Sequence, residues 1–471
     1  MCSNVVHKFV APNCVLVHHT MNSKPPTSEL QTAGSKIASL PNTPRIVLLL
    51  TFSLVLLTII PLYLFPLLAT SLASTSSDLS SPPTASSSSS RSSAIRLVGK
   101  RYPSSRCDIF RGEWVPNPSA PYYTNESCWA IHDHQNCMKF GRPDNEFMKW
   151  KWKPNDCDLP VFNPGQFLEL VRGKSLAFVG DSVGRNQMQS LICFLLRVTY
   201  SVDASPTKDD RFKRYHFPTH NFTIASFWSP FLVRSEEANA NGPTRTGLFN
   251  LYLDEPDTNW TTQLSGFDYV IISAGHWFLR PSMFYESRNF VGCHYCLDPN
   301  VTDLTMHYSY RRAFRLAFRV LNDLAEAGNF RGLVFLRTFA PSHFENGEWN
   351  KGGNCVRQRP FRSNETRLDG YSLEMYMTQL EEYAEATRAG RAQFRLLDTT
   401  DATLLRPDGH PSRYGHQAGE NVTLYNDCVH WCLPGPIDTW NDFLLQMLKN
   451  EGGRGAAAGR RSWGLRKSTI K

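Results

Sequence analysis

The sequence predicts an α/β fold, a central parallel sheet covered by helices on both faces. Two observations point to it. Short apolar runs of strand length recur through residues 161–450, and segments of helical periodicity stand between them. Strands that alternate with helices pair in parallel, because each helix returns the chain to the same end of the sheet. A third observation bounds the size: 471 residues, 41% of them hydrophobic, are enough for one large domain or two medium ones.

The elements follow in chain order. Residues 175–180 (SLAFVG) read as a buried strand and 186–196 as the helix behind it. Residues 267–273 (FDYVIIS) read as a second strand, 310–325 as a helix, 333–339 (LVFLRTF) as a strand, 373–388 as a helix, and 394–398 (FRLLD) as a strand. A last helix is expected over 438–448. In sheets of this kind the chemistry sits at the carboxyl ends of the strands.

The flanks are different in character. Residues 1–45 read as a disordered tail. Residues 46–69 (IVLLLTFSLVLLTIIPLYLFPLLA) hold no charge and reach the roughly 20 residues a bilayer-spanning helix needs. Pro61 and Pro66 fall in the second half of that run, where lipid tolerates a kink. Lys8, Lys24, Lys36 and Arg45 precede the run against a single acid, Glu29. Positive flanks stay in the cytosol, so the chain after the span is expected to be lumenal. Residues 70–105 are a Ser-rich stem with nothing to bury. Residues 106–160, dense in Cys, Trp and Pro, read as a disulfide-stapled unit that wraps the larger domain without a core of its own. Residues 451–471 carry Arg454, Arg460, Arg461, Arg466, Lys467 and Lys471 and read as a basic disordered tail. The net charge of +8 is too mild a bias to argue for a nucleic-acid partner.

Two patterns fit a lumenal domain. Of 12 cysteines, only Cys2 and Cys14 precede the span. The other ten are Cys107, Cys128, Cys137, Cys157, Cys193, Cys293, Cys296, Cys355, Cys428 and Cys432, an even set that reads as disulfides. Cys107 and Cys157 bracket the N-terminal unit and are candidates for one pair. The Cys293-His-Tyr-Cys296 spacing has no second matching pair, so a local or long-range disulfide is preferred to a metal, and no metal site is expected. The connectivity stays open. Glycosylation sequons at Asn125, Asn221, Asn259, Asn300, Asn364 and Asn421 all follow the span.

The sharpest local feature is residues 178–186 (FVGDSVGRN). A strand ends at Gly180 and a helix begins just after, so Ser182 projects from the turn at the active edge of the sheet. The helix N-terminus beside it offers free N–H groups and a positive dipole end, which suits a nucleophile whose carbonyl adduct becomes an oxyanion. The alternative is a serine that only caps the helix. A serine nucleophile needs a base, and the base needs a carboxylate to hold its tautomer. Asp427 and His430, three residues apart, can supply both from one turn, and disulfides at Cys428 and Cys432 would pin it. The alternative there is an acid and a histidine on a surface loop.

The GDS and DxxH motifs resemble the GDSL/SGNH hydrolase superfamily, which implies a three-layer sandwich. Longer motifs are similar to the plant trichome birefringence-like proteins: RCDIFRGEWV at 106–115, CMKFGRPD at 137–144, WKWKP at 150–154, CDLP at 157–160 and DCVHWCLPGPIDTW at 427–440. The similarity runs from Arg106 to Leu448. It implies a type II Golgi membrane protein that acetylates wall polysaccharides by double displacement. Ser182 would carry the acetyl group, His430 would act as base, and Asp427 would orient it. No bound cofactor is implied, but an acetyl donor is required, with acetyl-CoA or a relay protein as its source. The Ser182 N–H is the expected oxyanion donor. Gly180, Asp181, Arg185, Asn186, Gly275 and His276 are expected among further oxyanion or substrate groups. His276 stands where simple SGNH hydrolases have an asparagine, and it would donate to the oxyanion or meet the acceptor.

Trp228, Trp277 and Trp349 are candidate sugar contacts, since indole pairs an apolar face with a polar edge. His343 follows a strand and reads as structural. Residues 401–416 (DATLLRPDGHPSRYGH) and 421–439 look most like the branch associated with xyloglucan and mannan. Xyloglucan is the expected acceptor, with xylan or mannan as alternatives. An acetylesterase and a non-enzymatic glycan-binding protein are the competing functions.

Overall fold

A computed structural model of the chain describes residues 107–238, 247–296, 298–422 and 424–467. The expected tail, membrane span and stem lie outside them. Among the described residues no helix is long and apolar enough to cross a membrane.

The N-terminal unit opens with β1 (Gly112–Pro116), paired antiparallel with β2 (Trp150–Pro154). Helix α1 (Pro164–Leu170) starts on an Asn163 cap that accepts from the Gln166 N–H, with proline at its first turn. It leads into β3 (Ser175–Gly180) and α2 (Ser182–Leu195). Strands β4 (Val202–Asp203), β5 (Arg214–Phe217) and β6 (Phe222–Trp228) follow, then β7 (Val233–Glu237), β8 (Phe249–Pro256), the single turn α3 (Thr258–Thr261), and β9 (Tyr269–Ser273). The hairpin β10 (Ser282–Glu286) and β11 (Asn289–His294) precedes α4 (Thr305–Glu326) and β12 (Leu333–Arg337). The chain ends with α5 (Gly370–Ala389), β13 (Gln393–Leu397), α6 (Thr400–Leu404) and α7 (Asp438–Lys467).

The main sheet runs β13-β12-β9-β3-β6-β5-β4. Its five strands from β13 to β6 are parallel, as the sequence predicts. Strands β5 and β4 add an antiparallel edge to the expected central parallel sheet, so the sheet as a whole is mixed. A short hairpin after α2 needs no crossover helix, so it returns antiparallel. A second sheet, β11-β10-β8-β7, was not expected from the sequence.

Alternate residues of each central strand enter opposite cores. Leu176, Phe178, Ile224, Ile271 and Phe335 pack under α2, α7 and the N-terminal unit. Ala177, Val179, Ala225, Val270, Ile272 and Val334 pack under α4, α5 and the second sheet. The period of two splits the strands this way, and the result is a sheet between two helical layers. Trp114 and Trp152 of the N-terminal unit belong to the first of these cores. Trp114 also donates from Nε1 to the Ala402 carbonyl at 2.9 Å.

Helix α7 runs to Lys467, past the expected end at Leu448 and into the segment read as a disordered tail. That segment has no proline to stop the helix, and its Ala and Arg residues are strong helix formers.

The ten cysteines from Cys107 to Cys432 form five disulfides: Cys107–Cys157, Cys128–Cys193, Cys137–Cys432, Cys293–Cys296 and Cys355–Cys428. Cys293 and Cys296 therefore close a local loop. Cys137–Cys432 joins residues 295 positions apart and staples the N-terminal unit beside the Asp427–His430 segment. Closing so long a loop restricts the unfolded chain strongly. Replacing both cysteines by serine is expected to lower unfolding free energy by about 2–5 kcal/mol, read from urea denaturation.

Candidate active site

Strand β3 ends in a turn that only glycine permits. Gly180 has φ +145°, and a Cβ there would lie 1.8 Å from the Ser273 carbonyl oxygen on the neighbouring strand. The chain then enters α2, and Asp181 is its cap: Asp181 Oδ1 accepts from the Val183 N–H at 3.0 Å. This detail decides what Ser182 is free to do. A capping serine has its hydroxyl tied to the helix backbone. With Asp181 in that role, Ser182 is the first helical residue and its Oγ turns away.

That hydroxyl meets His430. Ser182 Oγ lies 2.7 Å from His430 Nε2, and His430 Nδ1 lies 2.7 Å from Asp427 Oδ2. The other Asp427 oxygen accepts from the His430 and Val429 N–H groups at 2.9 and 3.1 Å. Nδ1–H therefore donates to the carboxylate, and Nε2 is left to accept from the serine. Burial alone would lower the imidazole pKa, but the Asp427 carboxylate outweighs it and the net shift is upward. Burial would raise Asp427; the His430 ring and the two backbone donors pull it well below the usual carboxylate range.

The Asp427–His430 segment is held from four sides. Cys428 and Cys432 bond Cys355 and Cys137. Asp427 exchanges both backbone hydrogen bonds with Ser412. Asn186, one turn into α2 and fully buried, accepts from the Trp431 N–H at 2.8 Å and donates to the Trp431 carbonyl at 3.3 Å. The fourth support is His410. Its ring stacks on Trp431 at 4.0 Å, and its Nδ1 lies 2.6 Å from the His430 carbonyl oxygen. Its Nε2 meets His343 Nδ1 at 2.7 Å, and His343 Nε2 meets the Leu404 carbonyl at 2.9 Å. These three contacts need three ring protons, and two neutral imidazoles carry two. Burial holds both rings down, His343 to about 4 and His410 well below 6.5.

The N-terminal unit reaches this support directly. Arg142 donates to the His410 carbonyl at 2.8 Å and to the Asp408 carbonyl at 2.6 Å. Arg406, fully buried and paired with Asp408, stacks on Trp114. The unit that lacks a core of its own thus buttresses the loop behind His430.

Three of the residues expected at the oxyanion or the substrate have partners within the fold. Gly275 donates its N–H to Asp181 Oδ2 at 2.9 Å, tying the ends of β3 and β9 together. Asn186 is engaged by Trp431 on both sides of its amide. His276 Nε2 lies 2.9 Å from the Ala340 carbonyl, so it bears the ring proton and Nδ1 is a lone pair. Burial holds that ring to about 4, hence neutral and unable to donate from Nδ1. The Gly275 N–H and the Asn186 amide are thus engaged within the fold, and His276 Nδ1 has only the capacity to accept. With Val183 held by Asp181, the Ser182 N–H is the first-turn donor nearest the nucleophile. Trp349 is exposed and makes no ring contact among the described residues.

Sequence reasoning missed His410 and the role of Asn186. Asn186 was visible one turn from the nucleophile, but spacing on a helix does not say which loop packs over it. Asn186→Ala would strip the buried Trp431 N–H of its partner. It is expected to lower stability by about 1–3 kcal/mol, and to lower kcat while the fold persists, checked by calorimetry and steady-state kinetics.

Comparison with known proteins agrees with this architecture. Residues 159–447 match the GDSL/SGNH-like acyl-esterase family found in Pmr5 and Cas1p, and residues 105–158 match the PMR5 N-terminal domain. The chain is 56% identical to protein trichome birefringence-like 19 of Arabidopsis thaliana over 89% of its own length and 97% of that protein's. It is 46% identical to xyloglucan O-acetyltransferase 4 of Populus trichocarpa, over 75% and 83% of the two chains. Xyloglucan O-acetyltransferase 2 of Arabidopsis thaliana is 42% identical, over 73% and 83%. The chain therefore belongs to the GDSL/SGNH-like acyl-esterase family, among the trichome birefringence-like proteins and xyloglucan O-acetyltransferases of plants.

Proposed function

We propose that the protein is a Golgi-lumen O-acetyltransferase that acetylates hydroxyls of xyloglucan through an acetyl-Ser182 intermediate. The observation that supports this most is the Ser182–His430–Asp427 relay, with 2.7 Å at each link. His430 takes the Ser182 proton as Oγ attacks the acetyl carbonyl carbon. The tetrahedral oxyanion faces the Ser182 N–H at the positive end of α2. It collapses, the bond to the leaving group breaks, and His430 returns the proton to that group. A sugar hydroxyl then attacks the acetyl-serine with its proton passing to His430, and collapse restores Ser182 and leaves the ester on the sugar.

Xyloglucan as acceptor is supported by what the two acetyltransferase relatives are named for. A lumenal, type II placement is supported by the charge-free run at 46–69, by five disulfides, and by the sequons. Asn221, Asn259, Asn300, Asn364 and Asn421 are exposed and Asn125 is half-buried. The test is product analysis of the full-length chain with an acetyl donor and xyloglucan, xylan and mannan oligosaccharides. Acetylated xyloglucan is expected. Acetate release with no acetylated sugar would make the protein an esterase, and acetylation confined to xylan or mannan would reassign the acceptor.

A further inference from the structure

His276 Nδ1 is a polar atom beside the triad to which no step above gives a role. Two tethers fix its place. Gly275, the residue before it, donates to Asp181, the residue before Ser182. On the other side, His276 Nε2–H donates to the Ala340 carbonyl. Three residues after Ala340, the His343 N–H donates to the Cys428 carbonyl at 3.1 Å, two residues before the base. His276 therefore stands between the turn that carries the nucleophile and the segment that carries His430. Asp181 and His430 both lie in its field. The Phe339 ring packs against the imidazole at 4.9 Å, so a ring as well as a hydrogen bond holds its plane.

With Nε2–H committed to Ala340, Nδ1 is a lone pair. The ring is only half-buried, and Nδ1, with no partner among the described residues, is open to solvent. An acceptor fixed in this way selects its partner by chemistry. An acetyl group offers no N–H or O–H, and the oxyanion formed at its carbonyl would be repelled by a lone pair. The sugar is the reactant that brings hydroxyl donors. One hydroxyl attacks the acetyl-serine and gives its proton to His430, and the others are left to donate elsewhere. Burial holds the His276 ring to about 4, too weak a base to compete with His430. It therefore holds a hydroxyl without taking its proton.

We propose that His276 Nδ1 accepts a hydrogen bond from a second hydroxyl of the acceptor sugar and so aims the first at acetyl-Ser182. This role rests on the proposed acetyl transfer and gives its second half a specificity-determining residue. An acceptor with a hydroxyl to spare is aligned for attack, and one with a single hydroxyl is not.

The test forms acetyl-Ser182 on the full-length chain from p-nitrophenyl acetate and follows its discharge to either of two acceptors. Xyloglucan oligosaccharide has spare hydroxyls and n-propanol has none. Two substitutions separate the two ring nitrogens. His276→Gln can set an amide N–H at the Nε2 position, which keeps the Ala340 bond and removes the Nδ1 acceptor. His276→Asn can set an amide oxygen at the Nδ1 position, which keeps the acceptor and loses the Ala340 bond. His276→Gln is expected to slow discharge to the oligosaccharide about ten-fold more than discharge to propanol. His276→Asn is expected to retain most of the parent's preference for the oligosaccharide. Equal slowing with both acceptors would place His276 in the fold and overturn the proposal, and so would no slowing with either. An asparagine variant that loses the preference as fully as the glutamine variant would overturn it too. A parent chain that never forms acetyl-Ser182 would instead end the acyl-enzyme reading, and the role of His276 with it.

Discussion

Ser182→Ala is expected to lower acetyl transfer by about 10⁴–10⁶-fold while leaving the fold intact. Ser182 contributes little to packing: it is half-buried, and its side-chain hydrogen bond is to His430. Asp181, not Ser182, caps α2, so the helix start survives the loss of the hydroxyl. The turnover that remains measures what the oxyanion site and binding do without covalent catalysis. Circular dichroism and urea unfolding that match the parent protein, together with lost transfer, are the predicted pair of results. Transfer within ten-fold of the parent would exclude the serine as nucleophile.

Asp427→Asn is expected to lower kcat by about 10⁴-fold and to move the acid limb of the pH profile. The sign follows from the two effects on His430. Burial lowers its pKa, and the carboxylate raises it by more, so the limb of the parent enzyme lies above that of an ordinary imidazole. His430 works as a base only when neutral, so activity rises as pH passes that value and is lost below it. Without the carboxylate, burial acts unopposed and the limb moves to lower pH. An asparagine can also present its N–H₂ to Nδ1, which favours the wrong tautomer and leaves Nε2 protonated toward Ser182. Measuring kcat/KM against pH for both proteins checks the direction; an acid limb that stays in place would remove Asp427 from contact with the base.

Some of this was legible in the chain and some was not. Strands β3, β9 and β12 are buried on both faces or nearly so, and such strands read as unbroken apolar runs. The second sheet was hidden because its strands carry charge: β7 is VRSEE and β8 is FNLYLDEP, neither of which keeps a clean period of two. The Asp427–His430 pair is local, three residues apart, and was visible as a motif. His343 and His410 are 67 residues apart and meet only in the folded chain. The cap was left open: a serine after GD fits either position, and only the backbone at Asp181 tells which residue holds the helix and which is free. The same limit applies to Trp228 and Trp277: an indole near a strand end suggests a sugar contact, and only the folded chain shows the arginine beside each ring.

The N-terminal unit shows how a segment with no core of its own bears on catalysis. Its Arg142 and Trp114 grip the 402–410 loop, His410 supports the His430 carbonyl, and Cys137 staples Cys432 two residues beyond the base. Its disulfide prediction above therefore has a kinetic side, since a loosened staple frees the base to move from the serine.

The direct measurement is a rapid-quench experiment with an isotopically labelled acetyl donor, followed by peptide mass mapping. Labelled acetyl on the Ser182 peptide in the first turnover, discharged when xyloglucan oligosaccharide is added, is the predicted result. Acetylated oligosaccharide that accumulates while Ser182 is never labelled would contradict the account.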